Sequence, residues 1–213
     1  MENELKILYQ DRAVIVCVKP SGVDSQDGMC RLLNAQLGGE VFCVHRLDKA
    51  VGGVMVYARD AASAGALGRA ITEGAMEKEY LAVCEGIPDP SEGEMRDLLY
   101  HDAANNKTYV VERKRRGVRE ALLDYQLLET RESLSLVRVT LHTGRSHQIR
   151  VQFASRRLPL FGDSRYGAKL RGEIALWSYA LAFPHPVSGE TLRFTAMPPE
   201  APPWNVFVMK NAR

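Results

Sequence analysis

Residues 44–59 read VHRLDKAVGGVMVYAR and set a histidine, an arginine and an aspartate between two apolar runs. Val41, Phe42 and Val44 precede the trio, and Val54, Met55 and Val56 follow it. An unpaired charge in such surroundings is costly, so His45, Arg46 and Asp48 must be either paired or used. A carboxylate held there can serve as a nucleophile or general base. Gly52 and Gly53, just downstream, let another backbone approach closely. Two further residues of catalytic type lie far along the chain. Tyr80 is embedded in KEYLAV, and Arg150 lies in TGRSHQIRVQF, where Ile149, Val151 and Phe153 supply apolar contacts. An aspartate, a tyrosine and an arginine from three distant segments can converge on one site. Taken singly, each has an ordinary reading as a turn cap, a core aromatic or a surface cation.

The standard sites of other enzyme classes are absent. There is no GxxxxGK[ST] loop for nucleotide phosphates, and GALG at 65–68 is too short and lies in a helix-like run. VGGV at 51–54 lacks the GxGxxG spacing of a dinucleotide fold, and neither GxSxG nor HExxH occurs. The four cysteines (Cys17, Cys30, Cys43 and Cys84) form no CxxC pair, and the five histidines lack ligand spacing. We expect no metal and no disulfide framework, with the cysteines packed as small hydrophobes.

The elements that must position these residues are mostly strands. KILYQ and AVIVCV are short β-rich runs, KPSGV ends the second, and MCRLLNAQL has apolar residues at helical spacing. VFCV leads into the HRLD loop, and GGVMVYA is the next strand. DAASAGALGRAITE, opening on Asp60 as an N-cap, predicts a helix. KEYLAVCEG, EMRDLLY, KTYVVER, ALLDYQLLE and LSLVRVTL are predicted strands. SHQIRVQFASR predicts a helix with Ser146 at the cap, and EIALWSYALAF and TLRFTA are late strands before the proline-rich MPPEAPPW. Many strands, few helices and no strict βαβ alternation predict an α+β fold with a mixed, mostly antiparallel sheet flanked by helices. No repeat, linker or composition break marks a boundary, so residues 1–213 are expected to form a single domain.

Composition narrows the class further. At 213 residues, 46% hydrophobic and 25% charged, the chain resembles an ordinary globular protein with a sizeable core. No apolar run approaches the roughly 18 residues of a membrane helix. The N-terminus is acidic and polar, unlike a signal peptide, so a cytoplasmic location is expected. The net charge of +2 says little about partners, but RKRRGVR at 113–119 concentrates five cations in seven residues. Such a run is ordinarily a solvated loop, or else a contact for nucleic acid.

Four separated stretches resemble the RluA family of RNA pseudouridine synthases. VIVCVKPSGV is similar to the family's strand ending in a KPxG turn, and HRLDKAVGGVMVYAR to the motif carrying its nucleophilic aspartate. KEYLAVCEG resembles KxYLAxVxG, and LHTGRSHQIRVQF resembles TGRTHQIRVH, followed by GDSRYG. The tail AFPHPVSGETLRFTAMPPE is similar to the closing FPHP, GE and FxAP elements. The resemblance spans residues 12–200 in family order. There is one departure: the family usually has Thr-Ser-Gly where this chain has Val51-Gly52-Gly53, so two hydroxyls are gone.

The resemblance implies a catalytic domain, without room for an N-terminal S4-type RNA-binding domain, that isomerises uridine in ribosomal or transfer RNA to pseudouridine. It implies Asp48 as nucleophile or base, Arg150 as the cation favouring the charged carboxylate, and Tyr80 stacked on the uracil. The reaction breaks the N1–C1′ bond and rejoins the base through C5, so no cofactor is expected, and the target base must be flipped or unpaired. His147 and the exposed-type cations Arg113, Lys114, Arg115 and Arg116 are expected to contact RNA. Arg46 is expected to contact phosphate or to fill the space vacated near Gly52. A monomer is expected. The alternatives are a non-catalytic RNA-binding module on the same fold, and a hydrolase using Asp48 on a small substrate. The first would be signalled by loss of Asp48 or Tyr80, and both are present. The second needs another acid or base at clear spacing, and none is found.

Overall fold

The computed structural model describes residues 4–208, which divide into two compact units. One comprises the described residues up to Glu79 together with Trp177–Pro198, and the other comprises Tyr80–Leu176 with those from Pro199 onward.

The first unit is organised around β4 (Gly52–Ala58), the strand leaving the HRLD loop, every residue of which is buried. β2 (Val14–Lys19) runs antiparallel along it from Val14↔Ala58 to Lys19↔Gly53, and β1 (Ile7–Gln10) flanks β2. Short β3 (Phe42–Cys43) pairs with the far end of β4, antiparallel. β10 (Leu176–Pro184) meets its near end in parallel, Trp177 opposite Gly52 and Ser178 opposite Gly53, and carries antiparallel β11 (Thr191–Thr195). A strand covered on both faces reads as a continuous apolar run, as VMVYA does. Val54, Val56 and Ala58 pack with Val14, Val16, Leu181 and Phe183. Leu67 joins that core from α2 (Ala61–Thr72), whose N-cap is Asp60 as expected, accepting from the Ser63 amide at 2.7 Å. Helix α1 (Asp27–Leu37) buries Met29 and Leu33.

Gly52 and Gly53 are small for different reasons. A Cβ on Gly52 would strike the ring of Trp177, and one on Gly53 would strike the Ser178 backbone; Gly53 also sits at φ 122°. The parallel junction between β4 and β10 therefore requires bare backbone at both positions.

In the second unit the strand order is β5-β9-β8-β6-β7, with β5 spanning Glu77–Glu85, β6 Glu92–Asp102, β7 Lys107–Val111, β8 Val118–Arg131 and β9 Leu134–Leu141. The β6–β7, β6–β8 and β8–β9 pairs are antiparallel. β8 is longer than its apolar run suggests and carries an irregularity between Leu127 and Glu129. The mixed, mostly antiparallel α+β character is as expected.

Helix α3 (Gln148–Ser155) corrects the sequence reading at its start. Its N-cap is His147, in the left-handed region at φ 53°, and Ser146 is not the cap. The Ser146 carbonyl instead accepts the Thr108 hydroxyl at 2.8 Å. The helix start is organised by Gln148, whose Oε1 accepts from the Arg145 amide (3.0 Å) and the Thr143 hydroxyl (2.8 Å). Gln148–Phe153 are all buried, so α3 is enclosed rather than amphipathic at the surface. Gln152 ties it to β6 through the Met95 carbonyl (3.0 Å) and the Asp97 carboxylate (2.7 Å). Cys17 and Cys84 are buried and Cys30 and Cys43 half-buried, and none of the four is in a disulfide. No helix among the described residues is long and apolar enough to cross a membrane, and none of their His, Cys, Asp and Glu clusters could hold a metal ion.

Candidate active site

The HRLD loop is clamped on both sides of Asp48. Before it, Leu47 is held by Ser25, whose hydroxyl donates to the Leu47 carbonyl (2.8 Å) and accepts from the Leu47 amide (3.1 Å). After it, the Lys49 carbonyl accepts from Lys19 Nζ (3.2 Å) and from the Gly22 amide (2.8 Å). The Val51 amide donates to the Asp48 carbonyl (2.9 Å), closing a turn around the carboxylate-bearing residue. Asp48 itself is half-buried.

Lys19 is the centre of that anchoring. It ends the buried run of β2, has no exposed surface, and also donates to the carbonyls of Pro20 (3.0 Å) and Val23 (2.7 Å). Burial pushes its ammonium down to about 8, opposed by the negative charges of Asp24 and Asp48. Three carbonyls satisfy its three donors, which is why a lysine can be enclosed there. The KPSG stretch thus does more than end a strand: its lysine reaches across to the aspartate loop.

His45 resolves differently from its neighbours. Its Nε2 accepts from the Val56 amide at 3.2 Å, so the ring is neutral. Burial pushes it down to about 3, with the charge of Lys78 adding to the effect. It is a structural acceptor between the loop and β4. Arg46 is exposed. The space beside Gly52, one of the two places expected for Arg46, is occupied by Trp177, whose indole N–H donates to the Ala196 carbonyl at 2.8 Å.

In the second unit, Tyr80 is buried on β5. Arg150 is 5% exposed on α3, which rules out the surface-cation reading. Its Nε and Nη2 bond the two oxygens of Asp163 at 2.7 and 2.9 Å, a bidentate pair whose acidic partner is 1% exposed. Such a fork fixes the guanidinium plane as well as its charge. Tyr166 sets its ring 5.1 Å from the guanidinium. The Tyr166 hydroxyl accepts from the Thr108 amide (2.8 Å) and shares a further hydrogen bond with Nδ1 of His147 (2.9 Å). The structure therefore brings Arg150 and His147 together around Tyr166. Arg113, Lys114, Arg115 and Arg116 lie in the turn joining β7 to β8, and all are exposed. Arg115 stacks over Tyr100 at 4.9 Å.

Sequence reasoning did not single out Lys19, Ser25, Asp163 or Tyr166. A lysine closing an otherwise apolar strand was the available signal for the first. Asp163 and Tyr166 stood inside the quoted GDSRYG without a role.

Comparison with known proteins agrees with this architecture. A family model for RNA pseudouridylate synthases matches residues 13–155. An RNA pseudouridine synthase of Aquifex aeolicus, described as uncharacterised, is 34% identical over 92% of this chain and 70% of its own length. Ribosomal large subunit pseudouridine synthase D of Neisseria meningitidis (serogroup A) is 31% identical, with 92% of this chain spanning 59% of that protein. Among solved structures, human RNA pseudouridylate synthase domain containing 4 matches with TM-score 0.77 and 25% identity, over 91% of this chain and 88% of that one. The fold is that of a pseudouridine synthase catalytic domain. The chain belongs to the RluA group of the RNA pseudouridine synthase family, which is a family of isomerases.

Proposed function

We propose that this protein converts uridine in RNA to pseudouridine, with Asp48 as the catalytic carboxylate. The observation that carries the reading is the double anchoring of the loop: Ser25 grips the residue before Asp48, and Lys19 and Gly22 grip the residue after it. Backbone this constrained suits a carboxylate that must meet a sugar or base in one geometry. Asp48 acts as nucleophile or base, and Arg150, its plane set by Asp163, supplies the positive charge that favours an ionised carboxylate. Tyr80 lies against the uracil and assists removal of the C5 proton.

The step balances without a co-reactant. The N1–C1′ bond breaks, the C5–C1′ bond forms, C5 gives up a proton and N1 gains one. No electron is exchanged, so the reading requires neither cofactor nor metal. The target uridine is flipped or already unpaired. Arg46, His147 and the cations at 113–116 contact the RNA, and residues 1–213 act as one catalytic domain, a monomer in the cytoplasm. Transfer RNA and ribosomal RNA both fit the chemistry, and the name of the Neisseria relative makes ribosomal RNA the first substrate to try.

The test is tritium release from ribosomal and transfer RNA transcripts labelled at uridine C5, with no cofactor added and a chelator present. Release matched by pseudouridine in the digested RNA is expected. Absence of release from every transcript would overturn the reading.

A further inference from the structure

A surface groove in the second unit counts none of the residues given catalytic roles in its lining. It measures about 520 Å³, within the roughly 300–1,000 Å³ of small-ligand sites. Val151 and Ala154 of α3 form part of its lining, with Tyr166 beside them and β7 supplying Lys107 and Tyr109. β7 is the last strand in the order, and Tyr109 is left 41% exposed on it. The exposed ring offers a stacking surface to a ligand.

The groove's cations indicate what that is. Lys107 Nζ lies between two rings, 5.5 Å from the centroid of Tyr109 and 5.7 Å from that of Tyr166. Arg165, also lining the groove, is exposed and has its Nη1 anchored on the Asn105 and Asn106 carbonyls at 3.0 and 3.3 Å. An exposed ring, an apolar wall and two fixed cations are the parts of a single-stranded nucleic-acid site, where a base stacks and a phosphate is neutralised. Two continuities support this. Tyr166 links the groove to His147 and Arg150 within the same unit, and β7 runs directly into the exposed cations at 113–116.

We propose that this groove holds an unpaired nucleotide of the RNA substrate, stacked on Tyr109 with its phosphate against Lys107 and Arg165. The inference rests on the isomerase reading for the identity of the ligand. Its test uses binding, so that the two can fail separately. A fluorescein-labelled oligouridylate is titrated with the protein at several salt concentrations and followed by anisotropy. Tyr109→Ala should weaken binding about tenfold, Tyr109→Phe should restore it to within about twofold, and Leu128→Ala, at a comparably exposed apolar position, should leave it unchanged. Lys107→Ala should lower the log–log salt slope by about 0.7.

Equal affinity of the parent and Tyr109→Ala, with melting temperatures matched, would overturn the groove. So would a parent dimer in sedimentation that Tyr109→Ala dissociates without changing RNA affinity, since the edge would then serve a second copy of the chain. A parent that binds oligouridylate in the predicted way but makes no pseudouridine supports the groove and refutes the isomerase reading.

Discussion

His45 stands within the same four-letter motif as Asp48, and the amide it accepts from requires it to stay uncharged. Its folded value near 3 lies below the ordinary 6.5, so the unfolded chain binds the proton first. Stability is therefore full above pH 6.5 and is lost as pH falls from 6.5 towards 3. The slope approaches about 1.4 kcal/mol per pH unit at most. Replacing His45 with glutamine, which can still accept from the Val56 amide, should flatten that part of the melting-temperature profile. An unchanged acid slope would mean other groups carry it. The Arg150–Asp163 pair makes a second residue-scale prediction. Asp163→Asn leaves a buried guanidinium short of its counter-charge, at a cost of about 3–5 kcal/mol, visible as a lower denaturation midpoint. Asp163→Glu should recover part of that loss, because charge is kept while the fork geometry is not.

Between elements, the informative contact is the parallel seam of β4 and β10. Gly52→Ser would restore the family's usual residue but drive a side chain into Trp177. We expect it to destabilise by about 1–3 kcal/mol as overpacking. Trp177→Leu should relieve that strain, so the double variant should lose less than the sum of the singles in a melting cycle. Strict additivity would show that the ring and the glycine do not compete for one space. This seam also shows what the sequence could and could not reveal. Strands such as VMVYA, and the Asp60 cap of α2, were legible because short-range pattern determines them. The Trp177–Gly52 match was not, since it joins residues far apart in the chain. The start of α3 was misread for the same reason: Ser146 is a good local cap, but the Thr108 hydroxyl engages its carbonyl and His147 takes the cap position. The proposed site residues followed the same division. Asp48, Tyr80 and Arg150 were nameable from motifs, whereas Lys19 and Asp163 matter through bonds to Lys49 and Arg150 that only the folded chain makes.

At the scale of the whole molecule, function depends on attracting RNA and on transforming it, and these can be separated. Neutralising Arg113, Lys114, Arg115 and Arg116 should weaken RNA binding and lower the log–log salt slope by about 0.7 for each phosphate that one of them neutralises. An unchanged slope would leave the β7–β8 connection as a solvated surface. In the proposed function the transformation rests on one carboxylate, Asp48. Asp48→Asn keeps the size of the side chain and its capacity to cap a turn while removing its charge. The decisive measurement is pseudouridine formation under single-turnover conditions, with Asp48→Asn protein in excess over an RNA that the parent modifies, its melting temperature and RNA affinity recorded alongside. The account predicts a folded, RNA-binding variant whose rate falls by several orders of magnitude. A folded Asp48→Asn protein that makes pseudouridine at close to the parental rate would contradict it.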